Sequence, residues 1–287
     1  MIFDLQSHST VSDGALPPAE VVKRAAAAGV ELLALTDHDA VDGIDEALAE
    51  AAARGIRVTP ATELSALDAE SEDFHILGYE IAHQDPSLTA ALHEFRADRN
   101  ARGARMAQAL EELGFALERA PLDARAAQDL PIGRPHLAAA VLAHPANAAR
   151  VAAEGLTDVG AVIEAYLVPG APAYRTRTMP TVPEAIALIH EAGGVAVWAH
   201  PFWDLADDEQ VLATLGRFVA AQLDGVETFY VTHDERQTRL LHARATELGL
   251  LTTGSSDFHG PQHGLFSGFR AFATHGLEPN LGPLGEV

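Results

Sequence analysis

The sequence predicts an α/β protein of parallel strands joined by crossover helices, with a helical stretch inserted near its middle. Three observations carry that expectation. Short β-branched or apolar runs alternate with Ala-rich helical patterns over the first 80 residues, the βαβ rhythm of a parallel sheet. That rhythm lapses between about residues 98 and 175, where helical fragments are broken by Pro and Gly, and then resumes. A single α/β barrel of about 250 residues plus an insertion fits a chain of 287 residues.

Taken in order, Ile2–Leu5 reads as the first strand. Pro17-Pro18 opens a helix that Gly29 closes, following the preference for Pro in the first turn and Gly beyond the last. Glu31–Thr36 is the second strand, Gly43–Arg54 a helix, Ile56–Thr62 the third strand, and Phe74–Ile81 a further strand of the same parallel set. Asp85-Pro86 caps a long helix that reaches about Leu113 and stops at Gly114. After the insertion come a helix at Pro183–Ala192, a strand at Gly194–Ala199 and a helix near Asp207–Gln222. A strand at Gly225–Phe229, a helix at Asp234–Leu248 and a strand at Leu250–Gly254 complete the pattern. The last dozen residues, with Pro and Gly, read as a tail. The expected domains are therefore a barrel of residues 1–97 and 176–287 and a helical subdomain of residues 98–175.

Composition excludes several classes. A hydrophobic fraction of 48% supports a sizeable core and rules out global disorder. No apolar run reaches the roughly 18 residues of a bilayer span, and the opening MIFDLQSHST lacks a basic signal-like region,. With no cysteine there is no disulfide, thiolate metal site or cysteine nucleophile,. A cytoplasmic protein without membrane association is the expectation. The formal net charge of −22 argues against binding duplex DNA, which needs basic patches to neutralise phosphates. A small phosphorylated substrate stays compatible, because bound divalent cations can supply local positive charge.

Metal-competent side chains follow nearly every predicted strand. His8 and Asp13 come after the first, Thr36-Asp37-His38-Asp39 after the second, and Glu63 at the end of the third. His75 sits in the next strand, followed by Ala199-His200-Pro201 and Ser256-Asp257-Phe258-His259-Gly260. In a parallel barrel the strand C-termini share one face, where active sites form. His, Asp and Glu without Cys suit Zn, Mn or Fe, and a carboxylate can bridge two cations. Each residue alone has an ordinary reading. A lone His is usually a surface or satisfied core residue, Ser-Asp-Gly is usually a turn, and Asp37 or Asp39 could cap the following helix. Repetition at successive strand ends is what turn chemistry alone does not produce.

These motifs resemble the PHP (polymerase and histidinol phosphatase) family: D-L-x-S-H-S-x-x-S-D-G, L-x-x-T-D-H-D, the Glu63 strand end, H-I-L-G-Y, G-G-V-A-V-x-A-H-P and S-S-D-F-H-G. The resemblance covers about residues 1–85 and 180–262. It implies a distorted (β/α)7 TIM-like barrel with two or three divalent ions (Mn, Zn or Fe) at its C-terminal rim. It also implies their ligands. Glu63 would bridge, with His8, Asp257 and position 6 on one ion, His75 and His200 on a second, and Asp13, His38 and His259 on a third. The family pattern has His-x-His where this chain reads Gln6-Ser7-His8, and imidazole is a better ligand than an amide oxygen for zinc-like ions. A weakened first site, a harder metal or a two-ion cluster all stay open. The implied chemistry is hydrolysis of a phosphoester by hydroxide on the ions, held by Glu63, Asp257 and His200.

Within the family, D-L-x-S-H-S, the helical insertion and Gly133-Arg134-Pro135-His136 are most similar to stand-alone phosphatases of 3′,5′-nucleoside bisphosphates and exonucleases of short RNA. That implies a nucleotide substrate, with short single-stranded RNA as a further one, and the insertion as a cap over the substrate. Arg134 and His136 are the candidate phosphate contacts, since an arginine fork binds phosphate bidentately; the alternative is a helix start with a solvated Arg. Arg96, Arg99, Arg102 and Arg105 recur every third residue. They read either as a solvated face paired with Glu94 and Asp98 or, for Arg99 and Arg102, as a second phosphate site. Arg175, Arg177 and His233 are candidates of the same kind. A histidinol-phosphate phosphatase is the alternative enzyme, and a non-catalytic metal or nucleotide sensor, made possible by Gln6, is the alternative of another class.

Overall fold

The computed structural model describes residues 1–68 and 72–286. Strand β1 (Phe3–Asp4) leads through α1 (Pro18–Ala27) to β2 (Leu32–Leu35), and α2 (Ile44–Arg54) to β3 (Arg57–Asp68). Next come β4 (Glu72–Tyr79), α3 (Pro86–Glu112), α4 (Arg119–Ala127), α5 (Arg134–Ala143), α6 (Ala148–Glu154) and α7 (Val159–Tyr166). Then α8 (Val182–Glu191) feeds β5 (Val195–Trp198), followed by α9 (Pro201–Asp204), α10 (Asp208–Ala220) and β6 (Gly225–Tyr230). Helix α11 (Glu235–Leu248) and β7 (Leu251–Ser255) end the series.

The seven strands form one sheet in the order β1-β2-β3-β4-β5-β6-β7. Leu5 N donates to Gly254 O at 3.1 Å, so β1 meets β7 and the sheet nearly closes into a distorted barrel. Pairing is parallel along β1-β2-β3 and along β5-β6-β7. The expectation of an all-parallel set fails at β4, which runs antiparallel to β5. The reason is chain length: β3 ends at Asp68 and β4 begins at Glu72, whereas a parallel crossover needs about a dozen residues or more. The reversal matters for chemistry. It brings the start of β4 to the rim where its parallel neighbours end, and Ala199 N donates to His75 O at 3.0 Å.

The barrel interior is filled by Phe3, Leu5, Leu32, Ala34, Ala61, Leu77, Tyr79, Val197 and Ala199, with Leu284 among them. Leu284 corrects the reading of the last dozen residues as a tail. Its side chain is fully buried, and the Arg57 guanidinium donates to the carbonyls of Leu284 and Glu286. A barrel interior must be packed to its ends, and a C-terminal leucine serves. Outside the strands, Val21, Val22 and Ala25 of α1 and Ala47 and Ala51 of α2 pack with Leu33 and Leu35.

The chain divides into two compact units: residues 1–66, 74–92 and 180–287, and residues 67–73 and 93–179. The second has its own core, including Met106, Leu110, Phe115, Leu137, Val141 and Val162. No helix among the described residues is long and apolar enough to cross a membrane.

Candidate metal centre

Backbone geometry at the rim is fixed before any ligand is considered. After β1, the loop from Ser9 to Ser12 is tied to Asp37, whose carboxylate accepts from Ser9 N (2.8 Å), Ser9 Oγ (2.7 Å), Ser12 N (3.2 Å) and Ser12 Oγ (2.6 Å). Asp37 is therefore a loop anchor. Asp39 likewise accepts from Ser65 N at 3.1 Å, and α2 starts from Gly43 without a side-chain cap, so neither acid caps that helix. Gly14 closes the loop where a Cβ would stand 2.2 Å from His8 O. His38 and Glu63 face each other across a parallel bridge that prolongs the β2–β3 pairing. Asp39, His200 and Asp257 hold positive φ of 49°, 31° and 51°, a conformation that side chains other than Gly adopt at a cost of about 1–3 kcal/mol, and one concentrated at functional sites.

Glu63, on β3, is the hub. Its Oε1 stands 2.6 Å from His75 Nδ1 and 3.3 Å from His200 Nε2; its Oε2 stands 3.0 Å from His8 Nε2 and 3.6 Å from His38 Nδ1. His8 Nε2 is also 3.1 Å from Asp257 Oδ1. Asp13 lies 3.7 Å from both His8 Nδ1 and His38 Nε2 and 3.5 Å from His259 Nε2. Among the described residues, two groups have donor atoms close enough to share an ion: His8, Asp13, His38 and His259, and His38, Glu63 and His75. His200 borders the second, 3.3 Å from His75 Nδ1.

The electrostatics demand a cation. Burial alone would push His8 and His200 down, but the Asp257 and Glu63 carboxylates beside His8, and those of Glu63 and Asp204 beside His200, outweigh it. His8 is held well above the usual histidine range and His200 is raised to about 10. Against their own burial, Asp13 and Glu63 are held well below the carboxylate range, chiefly by the His38 charge, and Asp257 falls to about 2 beside His259 and His8. Imidazoles set among buried carboxylates in this way can exchange their protons for a metal ion. His8 Nε2 and Asp257 Oδ1 are buried and neither makes a hydrogen bond, although they are 3.1 Å apart. Nitrogen and oxygen atoms converging out of hydrogen-bond alignment are what ligands of a common ion present, and an N/O donor set suits Zn, Mn or Fe. The residues fit a divalent metal.

Gln6 turns a different atom to the site. Its Nε2 donates to Glu63 Oε2 at 3.0 Å and its Oε1 accepts from Ser255 Oγ at 3.3 Å. Flipping the amide would set oxygen against the Glu63 carboxylate. As placed, Gln6 presents its amide nitrogen to the Glu63 carboxylate.

Sequence reading missed the supports behind these groups. Tyr230 OH donates to Asp257 Oδ2 at 2.8 Å. Glu227, fully buried in β6, accepts from Ser255 Oγ at 2.6 Å and His200 N at 2.9 Å, and burial raises it to about 8. Asp4 accepts from Ser256 N (2.8 Å), Ser256 Oγ (2.7 Å) and Arg270 N (2.8 Å), fixing the residue before Asp257. A carboxylate inside an apolar strand run, as in Gly225-Val226-Glu227-Thr228-Phe229, was the available signal. His233 is buried, its Nδ1 is 3.1 Å from Thr228 O, and its Nε2 makes no hydrogen bond.

The remaining candidates lie in the second unit. Gly133-Arg134-Pro135 starts α5, with His136 Nδ1 accepting from Gly133 N at 3.0 Å; Arg134 is half-buried. Arg99 and Arg102 are buried and Arg96 is half-buried, so of the four α3 arginines Arg105 alone is exposed to solvent. Arg102 Nε donates to Arg175 O at 2.6 Å, and Asp98 accepts from Thr178. Arg96 stands 3.9 Å from Asp129. Arg177 is buried, with Nη1 3.4 Å from Met179 O.

The PHP domain matches residues 4–117. The chain is 35% identical over 265 residues to a 3′,5′-nucleoside bisphosphate phosphatase of Chromobacterium violaceum, covering 91% of this chain and 88% of that one. It is 34% identical over 259 residues to a 5′-3′ exoribonuclease of Haemophilus influenzae, covering 90% of each. Among solved structures, an amidohydrolase from Chromobacterium violaceum with bound sulfate and no metal is similar at TM-score 0.80 and 32% identity, over 99% of this chain and 93% of that one.

Proposed function

The chain belongs to the PHP family of metal-dependent phosphoester hydrolases, and from that premise we propose that it removes the 3′-phosphate of 3′,5′-nucleoside bisphosphates and also acts on short RNA 5′ ends. The observation that carries this reading is Glu63, whose two oxygens reach His75 and His200 on one side and His8 and His38 on the other. We assign the metal ligands to His8, Asp13, His38, Glu63, His75, His200, Asp257 and His259, leaving Gln6 out. Divalent ions held there supply water activation and neutralise phosphoryl charge. Asp257 keeps one oxygen turned to the cluster because Tyr230 occupies the other. Glu227, through its bond to His200 N, fixes the strained turn that presents the His200 ring. Asp37 keeps the loop carrying Asp13 in register. For the second phosphate, Arg99, Arg102, Arg134, Arg177 and His136 carry matching chemistry, with arginine forks as the best anion donors. The names of the relatives in Chromobacterium and Haemophilus support the nucleotide class.

The test is phosphate release from adenosine 3′,5′-bisphosphate with added Mn²⁺, with 5′-AMP and histidinol phosphate alongside. Preferential release from the bisphosphate is the expected result. Faster release from histidinol phosphate would overturn the substrate assignment, and undiminished activity in both His200→Ala and Asp257→Asn would overturn the site.

A further inference from the structure

Two loops that carry candidate ligands also carry exposed apolar side chains. His200 leads directly into α9, where Trp203 N donates to His200 O at 2.8 Å, placing the indole one turn from the imidazole. After β7, His259 N donates to Phe266 O at 2.9 Å. That loop is closed on itself by His263 Nδ1, which accepts from Leu265 N at 3.2 Å and Phe266 N at 3.1 Å. The two loops meet through their rings: Trp203 is 5.6 Å from Phe266, and Phe266 is 5.5 Å from His259 and 4.9 Å from His263. Phe266 is buried, whereas Trp203 is 51% and Leu265 55% exposed. The other exposed large hydrophobics among the described residues, Met1, Ile2, Leu113 and Met179, are on no loop that carries a candidate ligand.

We propose that Trp203, backed by Phe266, is a stacking shelf for the base of the substrate nucleotide; this rests on the nucleotide reading above and extends it to the part of the substrate that does not react. The indole is two ring contacts from His259 and one helical turn from His200, so a phosphate on the cluster leaves its nucleoside to reach the shelf. The exposed part of the shelf is the Trp203 indole, packed against Phe266, an aromatic surface that suits a base better than a second phosphate. Aromatic stacking accepts any base, since every base has a π-face. The expected specificity is for nucleotides over base-free sugar phosphates, with little preference among bases.

The test compares Trp203→Ala and Trp203→Phe on adenosine 3′,5′-bisphosphate and on base-free 1,2-dideoxyribose 3,5-bisphosphate. Trp203→Ala should raise KM for the nucleotide roughly 5- to 30-fold with kcat unchanged, leave the base-free substrate unaffected, and be largely rescued in Trp203→Phe. Equal effects on both substrates, or on neither, overturn the shelf. A second measurement separates this proposal from the reaction it rests on. Trp203 is exposed and Trp198, the other tryptophan, is buried, so AMP should quench fluorescence in the wild type and not in Trp203→Phe. Quenching without bisphosphate turnover keeps the shelf and sinks the phosphatase reading. Turnover without quenching sinks the shelf alone.

Discussion

The metal centre and the arginines of the second unit put similar polar side chains to opposite uses. At the barrel rim, carboxylates and imidazoles converge on one another, while a surrounding set of Asp37, Asp4, Glu227, Ser255 and Tyr230 holds the loops and the ligand orientations. In the second unit, arginines outside the candidate phosphate set spend donors on backbone carbonyls: Arg105 on Thr176 O at 3.1 Å, Arg125 on Pro131 O at 3.1 Å, and Arg150 on Leu113 O at 2.6 Å. A side chain bonded to backbone is holding a fold. Side chains crowded against each other with their charges unresolved are waiting for a ligand.

The sharpest way to break that contrast is at the hub. Glu63→Gln should lower phosphate release on the order of 10³-fold or more, because several kcal/mol of transition-state charge stabilisation would depend on the ions that Glu63 is proposed to bridge. Metal content by elemental analysis should fall in parallel. A variant that keeps its metal and its activity would strip Glu63 of the bridging role.

His233 offers a measurement in stability. Burial lowers it to about 4, so between pH 6.5 and pH 4 the unfolded chain binds a proton that the native state does not. Stability contributed by its neutral form is present above pH 6.5 and is lost as pH falls through 4, by roughly 3 kcal/mol. In urea titrations, His233→Gln should lose less stability than the wild type over this window; identical pH profiles would contradict the assignment.

Asp37→Ala removes four hydrogen bonds from the loop that carries Asp13. Activity should drop about 10- to 100-fold, the usual effect of losing an outer support of a metal ligand. By comparison, Arg105→Ala, at a guanidinium bound to backbone, should change kcat/KM less than about 2-fold while lowering Tm by a few degrees. Equal losses from both variants would erase the distinction between the two regions.

How much of this was legible in the sequence follows the same division. The strand-and-helix order could be read from Pro17-Pro18, Gly29 and the apolar runs because local chemistry punctuates each element. The convergence of His8, His38, Glu63 and Asp257 could be read because ligand chemistry restricts residue types at successive strand ends. The direction of β4 was not legible, since an apolar run reads the same in either direction and only the short Asp68–Glu72 gap betrays it. Leu284 in the barrel and Asp37 as a loop anchor depend on contacts far along the chain, which periodicity does not encode. The arginines were hardest, because the same Arg-x-x-Arg spacing serves a solvated face, a backbone clamp or a phosphate site.

A further expected effect lies at Gln6, where the family resemblance implies a histidine. Gln6 donates to Glu63 Oε2 and accepts from Ser255 Oγ, so it braces the hub without offering it a lone pair. Gln6→His would exchange that brace for an imidazole, a better ligand than an amide for zinc-like ions. Zinc affinity by calorimetry should then rise relative to manganese, while kcat with saturating manganese changes less than about 10-fold. Activity appearing only in Gln6→His would mean that the natural glutamine had silenced the site and would revive the sensor reading. A shift in metal preference alone would leave Gln6 as a support of Glu63, belonging with Asp37 and Tyr230 and not with the ligands.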